Sequence, residues 1–177
     1  ISEIRDMLQR IPVLALTATA TPEVVDDIQE KLKFKEKNVF RKTFLRKNLS
    51  YLVRRTDDKI EYIKRILDSQ QGQGSSIVYV RSRKLTEEIA ARLNSLGISA
   101  ESYHAGLEAR IKDEKQNKWK NGSVRVIVAT NAFGMGIDKG DVRTVIHYNM
   151  PENLEAYFQE AGRAGRDEKD SFAILLY

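Results

Sequence analysis

From Leu49 onward, short apolar runs alternate with amphipathic stretches in the manner of strand, helix, strand. The predicted strands are Leu49–Val53, Ile77–Val80, Ile98–Tyr103, Val124–Ala129, Thr144–Tyr148 and Phe172–Tyr177. Between them, Ile60, Ile63, Ile66 and Leu67 mark one face of a helix over Asp57–Ser69, and Leu85, Ile89, Leu93 and Leu96 do so over Lys84–Leu96. Two more helices are predicted over Glu108–Asn121 and Asn153–Ala164. Strands apolar on both faces and joined by helical crossovers need cover on both sides. The pattern therefore predicts an α/β fold, a mainly parallel sheet with helices on both faces.

The first 48 residues follow a different pattern. Ile4, Met7, Leu8 and Ile11 space out the end of an amphipathic helix stopped by Pro12, and Val13–Leu16 is a predicted strand. Thr21 is placed to cap a helix, with Pro22 at its first position and Val24, Val25, Ile28 and Leu32 along one stripe. One strand, loop and helix cannot make a sheet, so residues 1–32 are expected to be the trailing edge of a domain whose body lies outside this chain. Residues 33–48, rich in lysine and arginine, read as a linker, and residues 49–177 as a second domain.

Composition narrows the classes. Among 177 residues, 41% hydrophobic and 31% charged, no apolar run approaches membrane-spanning length, and the opening ISEIRDMLQR lacks a signal-peptide core. No membrane partner is expected. There is no cysteine, and the two histidines, His104 and His147, are far apart, so neither disulfides nor a metal held by this chain alone are expected. A net charge of +5 is compatible with a polyanionic partner and equally with plain solubility.

Candidate chemistry gathers in a few loops. Gln159, Arg163 and Arg166 in QEAGRAGRD fall at i, i+4 and i+7, which on a continuing helix points one amide and two guanidiniums away from the core. A guanidinium is a permanently charged planar fork suited to a phosphoryl group; the alternative is that Arg163 and Arg166 are solvated or paired with Glu160 and Asp167. In a parallel sheet, ligands collect beyond the carboxyl ends of the strands. Arg81, Ser82 and Arg83 stand there after one predicted strand, suited to a backbone phosphate, although Ser82 also reads as a plain helix cap. His104 and Gly106 follow another, where a structural histidine is the alternative. Thr130, Asn131, Gly134, Gly136 and Asp138 lie in TNAFGMGID, whose threonine can reach a phosphate and whose aspartate can accept from a ribose hydroxyl; two glycines also serve an ordinary turn. Phe133 and Met135 read as core, and Asp113 and Glu114 as a solvated face. These loops imply two ligands, a nucleic-acid strand and a nucleotide. No GxxxxGK(S/T) loop and no acidic magnesium-binding box occurs in the chain.

Together these motifs resemble a superfamily 2 helicase, more narrowly the RecQ family of DNA helicases. ALTATA at Ala15–Ala20 is similar to the family's motif III, FLRKNL at Phe44–Leu49 to the segment leading into its second RecA-like motor domain, SIVYVRSR to motif IV and YHAGL to the strand-binding loop after it. RVIVATNAFGMGIDK resembles motif V and QEAGRAGRD motif VI. The resemblance implies a RecA-like fold and a 3′ to 5′ helicase that uses ATP and Mg2+, both held mainly by the first motor domain, which lies largely outside this chain. It implies that Arg166 is the arginine finger, that Arg163 and Gln159 assist it, and that Asp138 and Gly136 lie by the nucleotide. Arg81, Ser82, Arg83, His104, Gly106, Thr130 and Asn131 would face single-stranded DNA, and Thr17 and Thr19 would couple ATP state to DNA grip. The family's zinc region would lie outside this cysteine-free chain, and the protein would work on the bacterial nucleoid or in a eukaryotic nucleus. Lys47 and Gly140 stand where the family often has proline, and Glu168 where it often has glycine. This chain alone is expected to be inactive. The alternatives are a RecA-like domain kept only for binding DNA or a partner, and an RNA-directed superfamily 2 protein.

Overall fold

The computed structural model describes residues 7, 11–17, 20–41, 45–70, 74–134 and 137–177. Thr19 and Gly136, and most of the helix expected over Ile1–Arg10, lie outside the described residues. The chain divides into two compact units, Ile1–Leu45 and Arg46–Tyr177.

In the first unit, helix α1 spans Pro22–Lys31. Its start is as the sequence predicts: the Thr21 hydroxyl accepts from the Val24 N–H, and Pro22, which has no N–H to lose, opens the first turn. Val13–Leu16 is not a strand, correcting the expectation, and Leu14 and Leu16 are 78% and 85% exposed. An apolar run takes up strand structure when neighbouring backbone pairs with it, and no described strand does so here.

The second unit is a sheet of six strands, all parallel to their neighbours. In chain order its elements are β1 (Leu49–Arg54), α2 (Lys59–Ser69), β2 (Ser75–Tyr79), α3 (Arg83–Ser95), β3 (Ala100–Tyr103), α4 (Ala109–Lys120), β4 (Val126–Ala129), β5 (Val142–His147), α5 (Leu154–Ala161) and β6 (Ser171–Leu176). The strand order across the sheet is β1-β6-β5-β2-β4-β3. Strands β2, β4 and β5 are buried at every position, which is why their sequences run apolar without alternation.

Alternate residues of the same strands build two cores. Ile77, Tyr79, Ile127 and Val145 join Trp119 of α4 and Ala161 of α5 on one face, whereas Val78, Val126 and Ile146 join Ile63 of α2 and Ile89 and Leu93 of α3 on the other. Trp119 is fully buried, and its indole N–H donates to the Ser76 carbonyl, satisfying the one polar atom on the ring. The predicted RecA-like architecture is thus observed, all parallel where a mainly parallel sheet was expected.

Among the described residues, one connection has no helix. Residues 130–141 run from the carboxyl end of β4 to the amino end of β5, and their Phe133 and Ile137 are buried in the core shared with α5. This loop carries candidate residues at opposite ends of the strands. The expectation that the loop Thr130–Asp138 lies beyond the carboxyl ends of the strands is therefore corrected for its far end: Thr130 and Asn131 stay at the carboxyl edge, and Asp138 arrives near the amino edge.

Helix α5 also ends earlier than predicted, at Ala161. Beyond it the Arg163 and Ala164 N–H groups donate only three residues back, to the Glu160 and Ala161 carbonyls, and Gly165, at a φ of +61°, turns the chain so that its N–H donates to the carbonyl of Val142, the first residue of β5. Arg163 and Arg166 therefore sit on a turn and not on a helix face shared with Gln159. Leu154, Tyr157, Phe158 and Ala161 are spaced as one apolar face of α5, but Leu154 and Phe158 are 70% and 48% exposed and Ala161 is fully buried.

Candidate functional site

At the carboxyl edge, strand β2 ends in Tyr79 and is followed by Val80 and Arg81. Arg81 is exposed but tethered: its N–H donates to Asn149 Oδ1 (3.2 Å) and its Nε to the Met150 carbonyl (3.1 Å), both in the loop after β5. Ser82 caps α3, accepting from the Leu85 N–H at 3.2 Å, so its structural role is real and its side chain remains exposed. Arg83 folds over the next loop. A Cβ added to Gly106 would stand 2.7 Å from Arg83 Nη1 and 3.3 Å from His104 Nδ1, so Gly106 is what lets the guanidinium lie against the His104 loop. His104 itself is buried, with Nε2 3.4 Å from Glu87 Oε1 and no protein partner for Nδ1 among the described residues.

A cleft of about 320 Å³ opens at this edge between β4, β2 and β5, lined among others by Arg81, Thr130, Asn131, His147, Asn149 and Glu160. This is where ligands settle in open parallel sheets. The structure thus brings Arg81, Thr130 and Asn131 to one cleft and places Arg83, His104 and Gly106 together beside it.

Beneath the cleft lies a polar group that sequence reasoning did not assemble. His147 is 1% exposed; its Nε2 donates to Glu160 Oε2 at 2.9 Å, and its buried Nδ1 has no protein partner among the described residues. Its ring stacks on Tyr79, with centroids 5.5 Å apart. The Tyr79 hydroxyl donates to the Phe133 carbonyl (2.9 Å) and accepts from Arg163 Nε (3.0 Å). Burial pushes the Tyr79 phenol well up, with Arg163 opposing, so it stays a neutral donor. Nothing in the sequence pairs His147 with Glu160, because the contact depends on how α5 packs against β5.

The arginine turn, residues 162–169, lies at the other edge, beside the first residues of β1, β5 and β6. Its two arginines differ. Arg163 reaches back beneath the sheet's cover, where Nη1 donates to the Gly134 carbonyl at 2.5 Å and Nε to Tyr79. Gly134 is required there, since a Cβ would come within 2.1 Å of the guanidinium. Arg166 instead stays at the rim, 39% exposed, with Nη1 donating to the Ile137 carbonyl (3.1 Å) and pairing with Asp138 Oδ1 (2.9 Å), whose side chain is 87% exposed. The alternative pairing with Glu160 and Asp167 is not found: Glu160 binds His147, and Asp167 binds the buried Arg143. Gln159 is exposed on α5, and among the described residues no hydrogen bond joins it to either arginine.

Several residues outside the predicted set hold the turn. Arg143 donates to Asp167, to the Gly140, Lys169 and Asp170 carbonyls and to Ser171 Oγ, and this hydrogen bond from Arg143 holds the Asp167 carboxyl below the usual carboxylate range. Arg46 donates to the Gly162 and Gly165 carbonyls, and Asn48 to those of Gly165 and Lys169. Glu168 takes a φ of +65°, the conformation that suits the glycine often found there. At the Asp138 end of the loop 130–141, the charged groups of Asp138 and of Arg166 beside it stay partly exposed, whereas Arg163 is committed to its own domain. Among the described residues no three His, Asp or Glu side chains converge as a metal site, and no helix is long and apolar enough to cross a membrane.

Known proteins resemble this arrangement. The helicase conserved C-terminal domain family matches residues 58–168. The chain is 45% identical over 98% of its length to the ATP-dependent DNA helicase hus2/rqh1 of Schizosaccharomyces pombe, 44% over 94% to the RecQ-like DNA helicase blm-1 of Caenorhabditis elegans, and 40% over 98% to the ATP-dependent DNA helicase RecQ of Bacillus subtilis. It spans 13%, 17% and 29% of those proteins. Among solved structures, the Escherichia coli DEAD-box protein SrmB bound to the regulator RraA aligns with a TM-score of 0.65 at 30% identity, covering 73% of this chain and 77% of that one. A Saccharomyces cerevisiae Dbp5 variant bound to RNA and ADP–beryllium fluoride aligns with a TM-score of 0.75 at 22% identity, over 91% of this chain and 44% of that one, a likeness of fold. The chain therefore belongs to the helicase conserved C-terminal domain family, in its RecQ branch.

Proposed function

We propose that this chain forms the second motor domain of an ATP-dependent 3′ to 5′ DNA helicase and supplies the arginine finger and part of the single-stranded DNA track. The observation that carries the reading is the contrast within the arginine turn: its backbone is held at four carbonyls by Arg46, Asn48 and Arg143, while the Arg166 head is left at the rim beside Asp138. Charge placed in advance where a phosphoryl group will develop charge needs no reorganisation during the reaction, and that preorganisation is how such a group lowers a barrier.

In this reading the γ-phosphate would come to Arg166 where it already stands at the rim, and Asp138, with Gly136, would serve the nucleotide, the aspartate accepting from a ribose hydroxyl. Arg163 acts indirectly, by tying the turn to the loop 130–141 through Gly134 and Tyr79. Gln159 is exposed near the end of α5 and assists at the nucleotide. ATP and Mg2+ are held mainly by the preceding motor domain, the metal neutralising phosphate charge when bound; Thr17 and Thr19 couple that site to DNA grip. The strand lies on Arg81, Ser82, Arg83, His104, Gly106, Thr130 and Asn131, whose donors suit phosphates and do not read bases. By itself the 177-residue chain hydrolyses no ATP, consistent with the lack of a GxxxxGK(S/T) loop. DNA is favoured over RNA because relatives at 40–45% identity are named DNA helicases, whereas the RNA-bound neighbour is 22% identical.

Arg166→Ala in the complete protein is expected to lower DNA-stimulated ATP turnover by about a thousandfold or more. Affinity for single-stranded DNA without nucleotide should stay within a few-fold. Turnover at the wild-type rate removes Arg166 from the chemistry, and stronger stimulation by RNA than by DNA replaces the DNA reading with the RNA one.

A further inference from the structure

A turn built of Gly162, Arg163, Ala164, Gly165 and Arg166 has little side-chain packing to fix it. Ala164 is fully buried, but the two glycines on either side bring backbone freedom that must be lost before Arg166 can hold one place. What removes that freedom comes from more than a hundred residues earlier in the chain. Arg46 Nη1 donates to the Gly162 carbonyl at 3.1 Å, across a sequence separation of 116, and Nη2 to the Gly165 carbonyl. Asn48 Nδ2 donates to the same Gly165 carbonyl at 2.8 Å and to Lys169 O at 2.9 Å. Both acceptors of the Asn48 amide are carbonyls, which fixes the orientation of its NH₂. The Ser171 N–H closes the circle by donating to the Asn48 carbonyl at 2.8 Å.

We propose that Arg46 and Asn48 are positioning residues for Arg166. Together they clamp carbonyls of the turn beyond α5, and so set where the arginine turn presents its cation. The clamp needs these side-chain types. A planar guanidinium fork spans two carbonyls at once, where an ammonium is a single point of charge. Gly165 leaves the space, since a Cβ there would stand 2.7 Å from Asn48 Nδ2 and 2.6 Å from Ser171 Oγ. Arg46 is also the first residue of the second unit, so the backbone arriving from residue 45 ends directly on the clamp. Neither residue touches a ligand; each acts through the backbone that carries Arg166.

This inference rests on the helicase reading above, and its test keeps the two apart. In the complete protein, Arg46→Ala, Arg46→Lys, Asn48→Ala and, for comparison, Arg166→Ala are assayed for DNA-stimulated ATP turnover, nucleotide-free DNA affinity, thermal midpoint and backbone amide exchange. Arg46→Ala is expected to lower kcat roughly tenfold to a hundredfold, the scale of a misplaced catalytic group, while KM for ATP and DNA affinity stay within about twofold. Exchange should quicken in residues 163–169 and not in the sheet. Asn48→Ala should act in the same direction and more weakly, and Arg46→Lys should recover only part of kcat. Wild-type kcat and exchange in Arg46→Ala overturn the clamp, as does a parallel fall in thermal midpoint, DNA affinity and sheet protection, which marks a merely structural role. If Arg166→Ala is inactive and Arg46→Ala turns over ATP at the wild-type rate, only the clamp falls. If the wild-type protein turns over no ATP, the helicase reading falls and takes the positioning role with it.

Discussion

The two edges of this sheet hold their cations in opposite ways. At the carboxyl edge, Arg81 and Arg83 are exposed, each reaching across to a neighbouring loop. At the amino edge, the turn bearing Arg166 is fixed by donors on the carbonyls of Gly162, Gly165, Lys169 and Asp170, and its partner Arg163 is drawn inward to Gly134 and Tyr79. The difference follows from what each edge is proposed to meet. A strand that slides past must be gripped and released, which favours exposed charge acting over a distance and displacing counterions. A reacting phosphate favours charge that is already in place. Loop 130–141 joins the edges, with Thr130 at one end and Asp138 at the other.

If the amino edge depends on a fixed turn, altering its backbone should have the largest effect on the folded protein. Gly165→Ala places a Cβ against Ser171 Oγ, Asn48 Nδ2 and the Lys169 carbonyl at a φ of +61°. It is expected to destabilise the domain by about 1–3 kcal/mol, the cost of such a strained position, read from denaturant midpoints. The reverse kind of change further along the turn, Glu168→Gly, relieves a φ of +65° and should stabilise by a few tenths to about 1 kcal/mol. If both substitutions shift the midpoint in the same direction, the turn is not the strained element described here.

Substitutions at the carboxyl edge should leave stability nearly unchanged and alter salt dependence instead. Arg81→Ala with Arg83→Ala is expected to weaken single-stranded DNA binding of the complete protein, with the slope of log affinity against log salt reduced by about one for each phosphate that is no longer neutralised. An unchanged slope would remove these arginines from the track. ATP turnover at saturating DNA should change far less than in Arg166→Ala.

The smallest expected effect concerns pH. The Arg143 hydrogen bond lowers the pKa of Asp167 in the folded state, so its contribution to stability is complete above the unfolded carboxylate value of 3.8 and fades as pH falls through the lowered folded value. Asp167→Asn should therefore be less stable than wild type at neutral pH, and the gap should begin to narrow only as pH falls below about 4. A gap that persists in strong acid would mean that the carboxylate charge contributes nothing.

Much of this was legible from pattern alone. Continuous apolar strands and amphipathic helices specified the two-sided parallel sheet, and Thr21, Asp58, Ser82 and Asn153 cap their helices as short polar residues do. The motifs themselves placed Arg81, Thr130, Asp138 and Arg166 among the candidates. Periodicity misled at QEAGRAGRD, where the spacing continued to fit a helix that had already ended at Ala161. It misled at Val13–Leu16 too, because an apolar run does not state whether a partner strand is present.

The sequence by itself determined the elements, the parallel order of burial and the kinds of side chain available at each loop, since these depend on neighbours within a few positions. Only the tertiary structure decided that Arg163 turns inward while Arg166 stays at the rim, that His147 meets Glu160, and that Arg46, Asn48 and Arg143 converge on one turn. The convergence on the turn rests mostly on hydrogen bonds from side chains to backbone carbonyls as far as 121 positions apart. A carbonyl is common to every residue and leaves no mark in the sequence of the acceptor.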